Sequence, residues 1–434
     1  MTPAWLARAA TAFGDRPAVQ TERDGTVTYA ELHARATTAA RRLAARGVKR
    51  GDRVALVLDP GLAFVEAFHG CLLLGAAAMP VASGVPAREM AARTRTAAVV
   101  VDEPLQGAEA SVTLDREHDL AAVAAVIHTS GTSGEPRAVG LTYGNWLWSA
   151  LGSALALGLD RREHWLCALP LHHVGGLSIL VRSTIYATTA VVHRSFDAER
   201  VAAALTAGDV TLVSLVPTTL GRVLDKLGAP PVGLRCALIG GAPLDGALAR
   251  RAAGAGIPTA QTYGLTEACS QVTTSEIGEP DTAGAPLAPT RVEIAPDGEI
   301  LVAGPTVAPA AVAPDGRLHT GDLGSLDDRG RLTVTGRKGD LIISGGENVA
   351  PTEVEAVLAE HPAVAEAAVH GRPDPEWGQA VVATIVLRDG AAAGEAELRA
   401  PCAARLGPAK VPRTMAFAEA LPRSASGKLL RRAL

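Results

Sequence analysis

Residues 128–139, HTSGTSGEPRAV, gather the hydroxyls of Thr129, Ser130, Thr132 and Ser133 around Gly131 and Gly134. Backbone N–H groups of a turn built from Gly, Ser and Thr can wrap a phosphate, and the hydroxyls add donors. The segment follows an apolar strand and leads towards a helix, so it reads as a cradle for a polyphosphate. The GxxxxGK[ST] pattern is absent, which weakens a P-loop reading. Taken alone, such a stretch also suits a flexible Ser/Gly linker. Lys428, in the polar turn SASGKL, is a second candidate, because the chain places nearly all its positive charge on Arg and has lysine elsewhere only at 49, 226, 338 and 410. A compact ammonium on a flexible stem can follow phosphate and carboxylate oxygens through a reaction, which a planar guanidinium does less freely. The plain alternative is a solvated tail. Glu267 in TYGLTEA and Asp322 in HTGDLG, each taken singly, read as a surface acid and a turn residue beside Gly321.

The elements that must position these groups follow from periodicity. Apolar, β-branched runs at 53–58, 121–128, 210–216 and 235–239 alternate with helical stretches that end near Gly, the pattern of parallel βαβ units. One helix is expected over 29–46, with Leu32, Ala36, Ala39 and Leu43 on one face and Gly47 as its stop. Another starts at Thr142 as N-cap and ends near Gly158. Past Gly336 the texture changes to a helix from Thr352, a His361-Pro362 turn and apolar runs at 364–370 and 379–387. The expected fold is α/β: a large N-terminal domain over 1–336 of parallel and mixed sheets with flanking helices, a hinge at 337–340, and a small mobile α+β domain over 341–434.

Composition narrows the function classes. The chain has 434 residues, 41 Lys+Arg against 45 Asp+Glu, and a net charge of −4 with no long basic run. Neither a nucleic acid nor a membrane surface is indicated as partner, which leaves small molecules. The cysteines at 71, 167, 236, 269 and 402 lack metal-binding spacing and read as reduced thiols of a cytoplasmic protein. No export signal is legible at the N-terminus, and the apolar stretch 62–82 is broken by Gly70, Gly75 and Pro80, so a buried helix and strand are expected there.

The loop HTSGTSGEPRAV resembles the phosphate loop of the acyl-adenylate-forming superfamily, which includes acyl-CoA synthetases, peptide-synthetase adenylation domains and firefly luciferase. Further signatures stand in the same order: LPLHH at 169–173, GGAPL at 240–244, TYGLTEA at 262–268, HTGDLG at 319–324, GRKGDLIISGGENVAP at 336–351 and PRSASGKL at 422–429. The resemblance implies an acid–thiol ligase that joins a carboxylate to the α-phosphate of ATP and passes the acyl group to coenzyme A. Attack on the α-phosphorus builds negative charge in line with departing pyrophosphate, so Mg²⁺ and cationic donors are needed there. The resemblance assigns Glu267 to Mg²⁺ and Thr266 to the α-phosphate. It places Thr262, Tyr263 and Gly264 at the nucleotide, with Tyr263 stacked on adenine and Gly241, Ala242 and Pro243 lining its other side. Asp322 would accept from the ribose hydroxyls, Arg337 would contact the ribose, and Lys428 would catalyse adenylation.

His173 resembles the residue that gates the acceptor channel, and Gly345 and Gly346 would face the pantetheine thiol after the small domain turns. No carrier domain follows Lys428, so free coenzyme A is the expected acceptor. Two departures stand out: the usual PKG reads Pro136, Arg137, Ala138, where Arg137 keeps a charge able to grip phosphate, and the connector position usually held by Asp or Lys is Gly339. Residues 172–186 and 263–274 are most similar to the o-succinylbenzoate:CoA ligases of menaquinone synthesis. Such a substrate carries a second carboxylate, for which Arg182 is the expected partner, with Ser270, Gln271 and Thr274 as neutral donors. Spacing alone leaves Arg182 equally readable as a surface helix residue. An aryl or medium-chain acid:CoA ligase, a non-catalytic nucleotide-binding homologue, a maker of acyl-AMP for a separate carrier, and a homodimeric assembly stay open.

Overall fold

The structure, a computed structural model, describes residues 1–130, 136–423 and 429–434. The helix Tyr29–Ala45 is capped by Thr28 and Glu31 in a reciprocal capping box, and it buries Leu32, Ala36, Ala39 and Leu43 as their spacing requires. It packs on Leu62–Leu74, a helix buried on nearly every side, whose chain then turns at Gly75 into the strand Ala77–Pro80. The apolar stretch at 62–82 is therefore an internal helix and strand. Among the described residues no helix is long and apolar enough to cross a membrane.

A nine-stranded sheet carries Cys236–Ile239 beside Thr259–Leu265 in parallel, with Ser270–Thr274 antiparallel at the next position. A five-stranded sheet ends in the antiparallel pair Val123–Ser130 and Pro136–Thr142. One large apolar core joins the two sheets through the helices Tyr143–Leu157 and Val174–Tyr186. A four-stranded antiparallel sheet follows, holding Leu318–Leu326 against Leu332–Arg337. Beyond it, Ile342, Val354, Val369, Val381, Leu398 and Met415 belong to a core of their own beneath a five-stranded sheet. The chain is thus a mixed α/β protein with a large N-terminal domain and a C-terminal domain.

The phosphate-loop segment leads towards the helix Tyr143–Leu157, which Thr142 caps as expected, but a second strand comes first: the flanking strands pair antiparallel, Thr129 opposite Arg137 and Ser130 opposite Pro136. The run 136–142 includes the β-branched Val139 and Thr142 and is long enough to pair back on Val123–Ser130. Donors for a phosphate must then come from loop N–H groups, hydroxyls and Arg137 rather than from a helix N-terminus.

Candidate functional site

Gly131, Thr132, Ser133 and Gly134, the side chain of Ser130, and Lys428 lie outside the described residues. At the hairpin base Thr129 Oγ1 donates to the Arg137 carbonyl at 3.4 Å, and Arg137 itself is exposed. His128, buried beside them, has its pKa pushed down to about 4, by burial first and then by the positive charges of Arg93 and Arg53.

The next part of the site is built where two parallel strands end. Gly241, Ala242 and Pro243 lie exposed at the end of Cys236–Ile239, and the neighbouring strand Thr259–Leu265 runs on past them with a bulge between Tyr263 and Gly264. Gly264 is required there: a Cβ would stand 1.8 Å from the Ser270 carbonyl oxygen of the adjacent strand. Thr262 donates to the Thr273 carbonyl at 2.6 Å, which pins the same hairpin. The Tyr263 hydroxyl donates to Asp322 Oδ2 at 2.9 Å, and Arg337 Nε donates to Asp322 Oδ1 at 2.5 Å. Burial, reinforced by the charge of Asp322, holds the Tyr263 hydroxyl well above the ordinary tyrosine range, so it stays a donor.

Thr266 and Glu267 stand on the short 3₁₀ turn Thr266–Ala268 that follows the strand. The chain leaves it through two consecutive non-glycine residues in the left-handed region, Cys269 at φ 53° and Ser270 at φ 87°. Such backbone persists only where its surroundings over-determine it. The Glu267 carbonyl accepts from Ala308 N at 2.8 Å, whereas its half-buried carboxylate has no partner among the described residues. Among those residues no group of three or more His, Cys, Asp or Glu could hold a metal. A single unpaired carboxylate fits Mg²⁺ bound in the manner usual for nucleotide enzymes, with substrate phosphates and water completing the shell.

Behind this turn lies Arg182. It is only 2% exposed, so the surface reading of this residue is excluded. Its Nη2 donates to Ser149 Oγ at 3.1 Å, its guanidinium lies 5.8 Å from the Trp165 ring centre, and its Nε has no partner. No carboxylate among the described residues pairs with it. Burial lowers its pKa, partly offset by Tyr186 and Cys269. Gln271 Nε2 donates to Thr274 Oγ1 at 2.9 Å, leaving Gln271 Oε1 buried and unpartnered, and the Thr274 hydroxyl is also held against Thr262 and the Thr273 carbonyl. Thr274 is thus committed within the strand pair, and Ser270 begins the strand.

His173 opens the helix Val174–Tyr186, its ring tilted against His172 with centres 4.4 Å apart. Burial first, and then Arg93, lowers the His173 pKa, while His172 falls to about 4 through burial, His173 and Arg93. The helix lies directly on the LPLHH loop, because Gly176 has no side chain: a Cβ would meet the Pro170 carbonyl oxygen at 2.4 Å.

On the C-terminal side, Lys338 Nζ donates to Asp297 at 2.6 Å and Glu299 at 2.8 Å, and Glu299 also accepts from Gly321 N at 2.8 Å. Residues 338–340 form a 3₁₀ turn. Gly345 and Gly346, at φ 60° and 86°, make the tight turn between Ile342–Ser344 and Glu347–Val349. The base of the SASGK segment is closed by pairing of Arg423 with Leu429, and Leu430 N donates to the Pro422 carbonyl at 2.9 Å. Arg431 is bidentate to Glu355 and donates to the Val369 carbonyl at 2.9 Å.

Sequence reasoning missed Asn145, Ser149 and Glu299. Asn145 and Ser149 had a legible signal: with Ser153 they are polar residues spaced four apart on the mostly apolar helix YGNWLWSALGSALAL. Glu299 had none, since its partners come from separate strands.

Residues 6–102 and 99–310 match the family model of the AMP-binding enzyme, and residues 353–428 match that of the AMP-binding enzyme C-terminal domain. The chain is 40% identical to a 2-succinylbenzoate–CoA ligase of Geobacillus kaustophilus, covering all of this chain and 97% of that protein. It is 38% identical to the enzyme of that name from Bacillus subtilis, covering all of this chain and 97% of the relative. Among solved structures, o-succinylbenzoate CoA synthetase from Bacillus subtilis in complex with the acyl-adenylate intermediate OSB-AMP superposes with a TM-score of 0.91, at 37% identity over 99% of this chain and 97% of that one. The same synthetase with ATP and magnesium ion gives 0.90, at 37% identity over 99% of each. With both family models matched and these relatives aligned along essentially the whole chain, this protein belongs to the AMP-binding enzyme family.

Proposed function

We propose that this chain activates o-succinylbenzoate with ATP as an acyl-adenylate and transfers the acyl group to coenzyme A. The observation that carries the choice of acid is Arg182, a buried guanidinium with no carboxylate partner among the described residues, set behind the turn that bears Glu267. A buried charge left unpaired is costly, and an acid with a second carboxylate completes it. Full-length relatives named for this substrate support the same choice.

In this reading the nucleotide lies across the ends of Cys236–Ile239 and Thr259–Leu265, with adenine against Tyr263 and the Gly241–Pro243 edge. Asp322 accepts from the ribose, its charge set by Arg337. Thr129, Arg137 and the loop between them hold the outer phosphates. Thr266 donates to the α-phosphate, and Glu267 would hold Mg²⁺, which when bound would offset negative charge on the phosphates. The substrate carboxylate to be activated enters past His173 and attacks the α-phosphorus in line with pyrophosphate, and Lys428 stabilises the charge that develops. Burial first, and then the charge of Arg93, disfavours a protonated His173, which lessens its competition for the carboxylate.

The 337–340 segment then acts as the hinge between residues 1–336 and 341–434. Rotation removes Lys428 and brings the Gly345-Gly346 turn to the acceptor channel, where the coenzyme A thiol displaces AMP. Lys338 must leave Asp297 and Glu299 for this, and Gly339, without a side chain, eases the turn. Five buried unpaired cysteines suit a reducing, cytoplasmic setting.

The test is acid-dependent ATP–pyrophosphate exchange, followed by coenzyme A thioester formation, over a panel of acids. o-Succinylbenzoate is expected to support both. Exchange with aryl or fatty monocarboxylic acids alone would overturn the substrate, and exchange with none would leave only nucleotide binding.

A further inference from the structure

The turn that carries Glu267 is held from outside as well as by its own backbone. It is left through two strained residues, and Cys269 N donates to the Thr266 carbonyl at 3.0 Å. The outside support comes from the helix Tyr143–Leu157. Ser149 Oγ donates to the Cys269 carbonyl at 2.7 Å, on the far side of the turn from Glu267. One helical turn earlier, Asn145 Nδ2 donates to the carbonyls of Pro305 at 2.8 Å and Val307 at 2.9 Å, and the next residue, Ala308, donates its N–H to the Glu267 carbonyl at 2.8 Å. Residues four apart share a helix face, so one face grips both sides of the turn.

Each grip has a determined direction. Asn145 Oδ1 accepts from Thr142 N at 2.9 Å, which leaves both amide hydrogens for the two carbonyls. Ser149 has a single hydroxyl hydrogen. Arg182 Nη2 donates to the Ser149 oxygen, and since a guanidinium cannot accept, that hydrogen must point to Cys269. Both side chains are buried, Asn145 at 4% and Ser149 at 1% exposure, where a carbonyl without its donor would find no water to replace it.

We infer that Asn145 and Ser149 are positioning residues that aim the Glu267 carboxylate for its metal, acting through the Cys269 carbonyl and the 305–308 segment. The inference rests on the reading of Glu267 as the Mg²⁺ carboxylate. Ser149 also makes the turn contiguous with the Arg182 end of the acid pocket.

Mn²⁺ serves as the probe: its binding to the full chain with a non-hydrolysable ATP analogue is read from the spectrum of free Mn²⁺, alongside amide exchange at Cys269 and Ala308. Ser149→Ala is expected to weaken Mn²⁺ about 3- to 10-fold, the size of one lost buried hydrogen bond, and to speed exchange at both amides. Ser149→Thr keeps the hydroxyl and should restore Mn²⁺ affinity. Ser149→Cys, a weaker donor of similar size, should fall between and serves if the alanine variant does not fold. Glu267→Gln is the benchmark. If it weakens Mn²⁺ while the Ser149→Ala and Ser149→Cys proteins bind and exchange as the parent does, the positioning role is overturned and the metal reading stands. If Glu267→Gln binds Mn²⁺ normally, the metal reading falls and takes the positioning role with it.

Discussion

Arg337 donates through Nε to Oδ1 of Asp322 at 2.5 Å, across one rung of the antiparallel pair Leu318–Leu326 and Leu332–Arg337. The other carboxylate oxygen is taken by the Tyr263 hydroxyl. The acid proposed for the ribose is therefore held from both sides, by the residue proposed to stack on adenine and by the last residue before the proposed hinge. In the proposed domain rotation, a change of backbone at 338–340 would pull on this ion pair and so couple the nucleotide site to the hinge.

Asp322→Asn should weaken AMP binding about 10- to 100-fold, as expected for charge-assisted hydrogen bonds lost from a mostly buried site. Titration calorimetry of AMP checks this. An unchanged affinity would remove Asp322 from the ribose.

Replacing Arg182 with Leu should lower kcat/KM for o-succinylbenzoate about 100-fold, the loss of one well-placed charged contact, and far less for a monocarboxylic analogue. Because the guanidinium is buried without a carboxylate among the described residues, the variant should melt no lower than the parent. Equal losses for the two acids would take Arg182 out of the pocket.

Lys428→Ala should slow pyrophosphate exchange by about 100-fold or more, in line with losing one charge-stabilising donor, and largely spare thioester formation from acyl-AMP supplied ready-made. Gly346→Trp should do the reverse. At φ 86° a Trp is locally strained, yet no atom lies within 4 Å of its Cβ position, so the turn should survive. Equal damage to both half-reactions in both variants would count against the two-arrangement mechanism.

Acid should destabilise the fold before its carboxylates titrate. His69 is pushed down from 6.5 to about 3, and His118, His128 and His172 to about 4, by burial in each case. His118 Nε2 accepts from Trp5 N, which requires the neutral ring. A histidine whose folded pKa is depressed binds its proton preferentially in the unfolded chain, so stability falls as pH drops from about 6.5 to about 4. Melting temperature measured across that window should decline steadily, and His118→Gln should flatten part of the slope. A flat profile would show that these rings are not held neutral by the fold.

The motifs made the chemistry legible in one dimension. Short runs such as TYGLTEA and HTGDLG constrain backbone and side chain together, and capping residues such as Thr28 and Thr142 mark helix starts through bonds reaching only three residues away. Helix and strand positions along 29–46, 62–82 and 235–239 followed for the same reason: their periodicity is local. Tertiary structure decided what depends on partners far apart in the chain. The strand Pro136–Thr142 stands between the phosphate loop and the helix Tyr143–Leu157 because it pairs with Val123–Ser130, a contact set by tertiary structure and not by a local pattern. Arg182 is interior because the helix Val174–Tyr186 is buried on most sides, leaving no amphipathic stripe from which its facing could be read. The clamp of Asn145 and Ser149 joins residues more than a hundred positions apart. No spacing rule reports such contacts, since they exist only once the helix has docked against the turn.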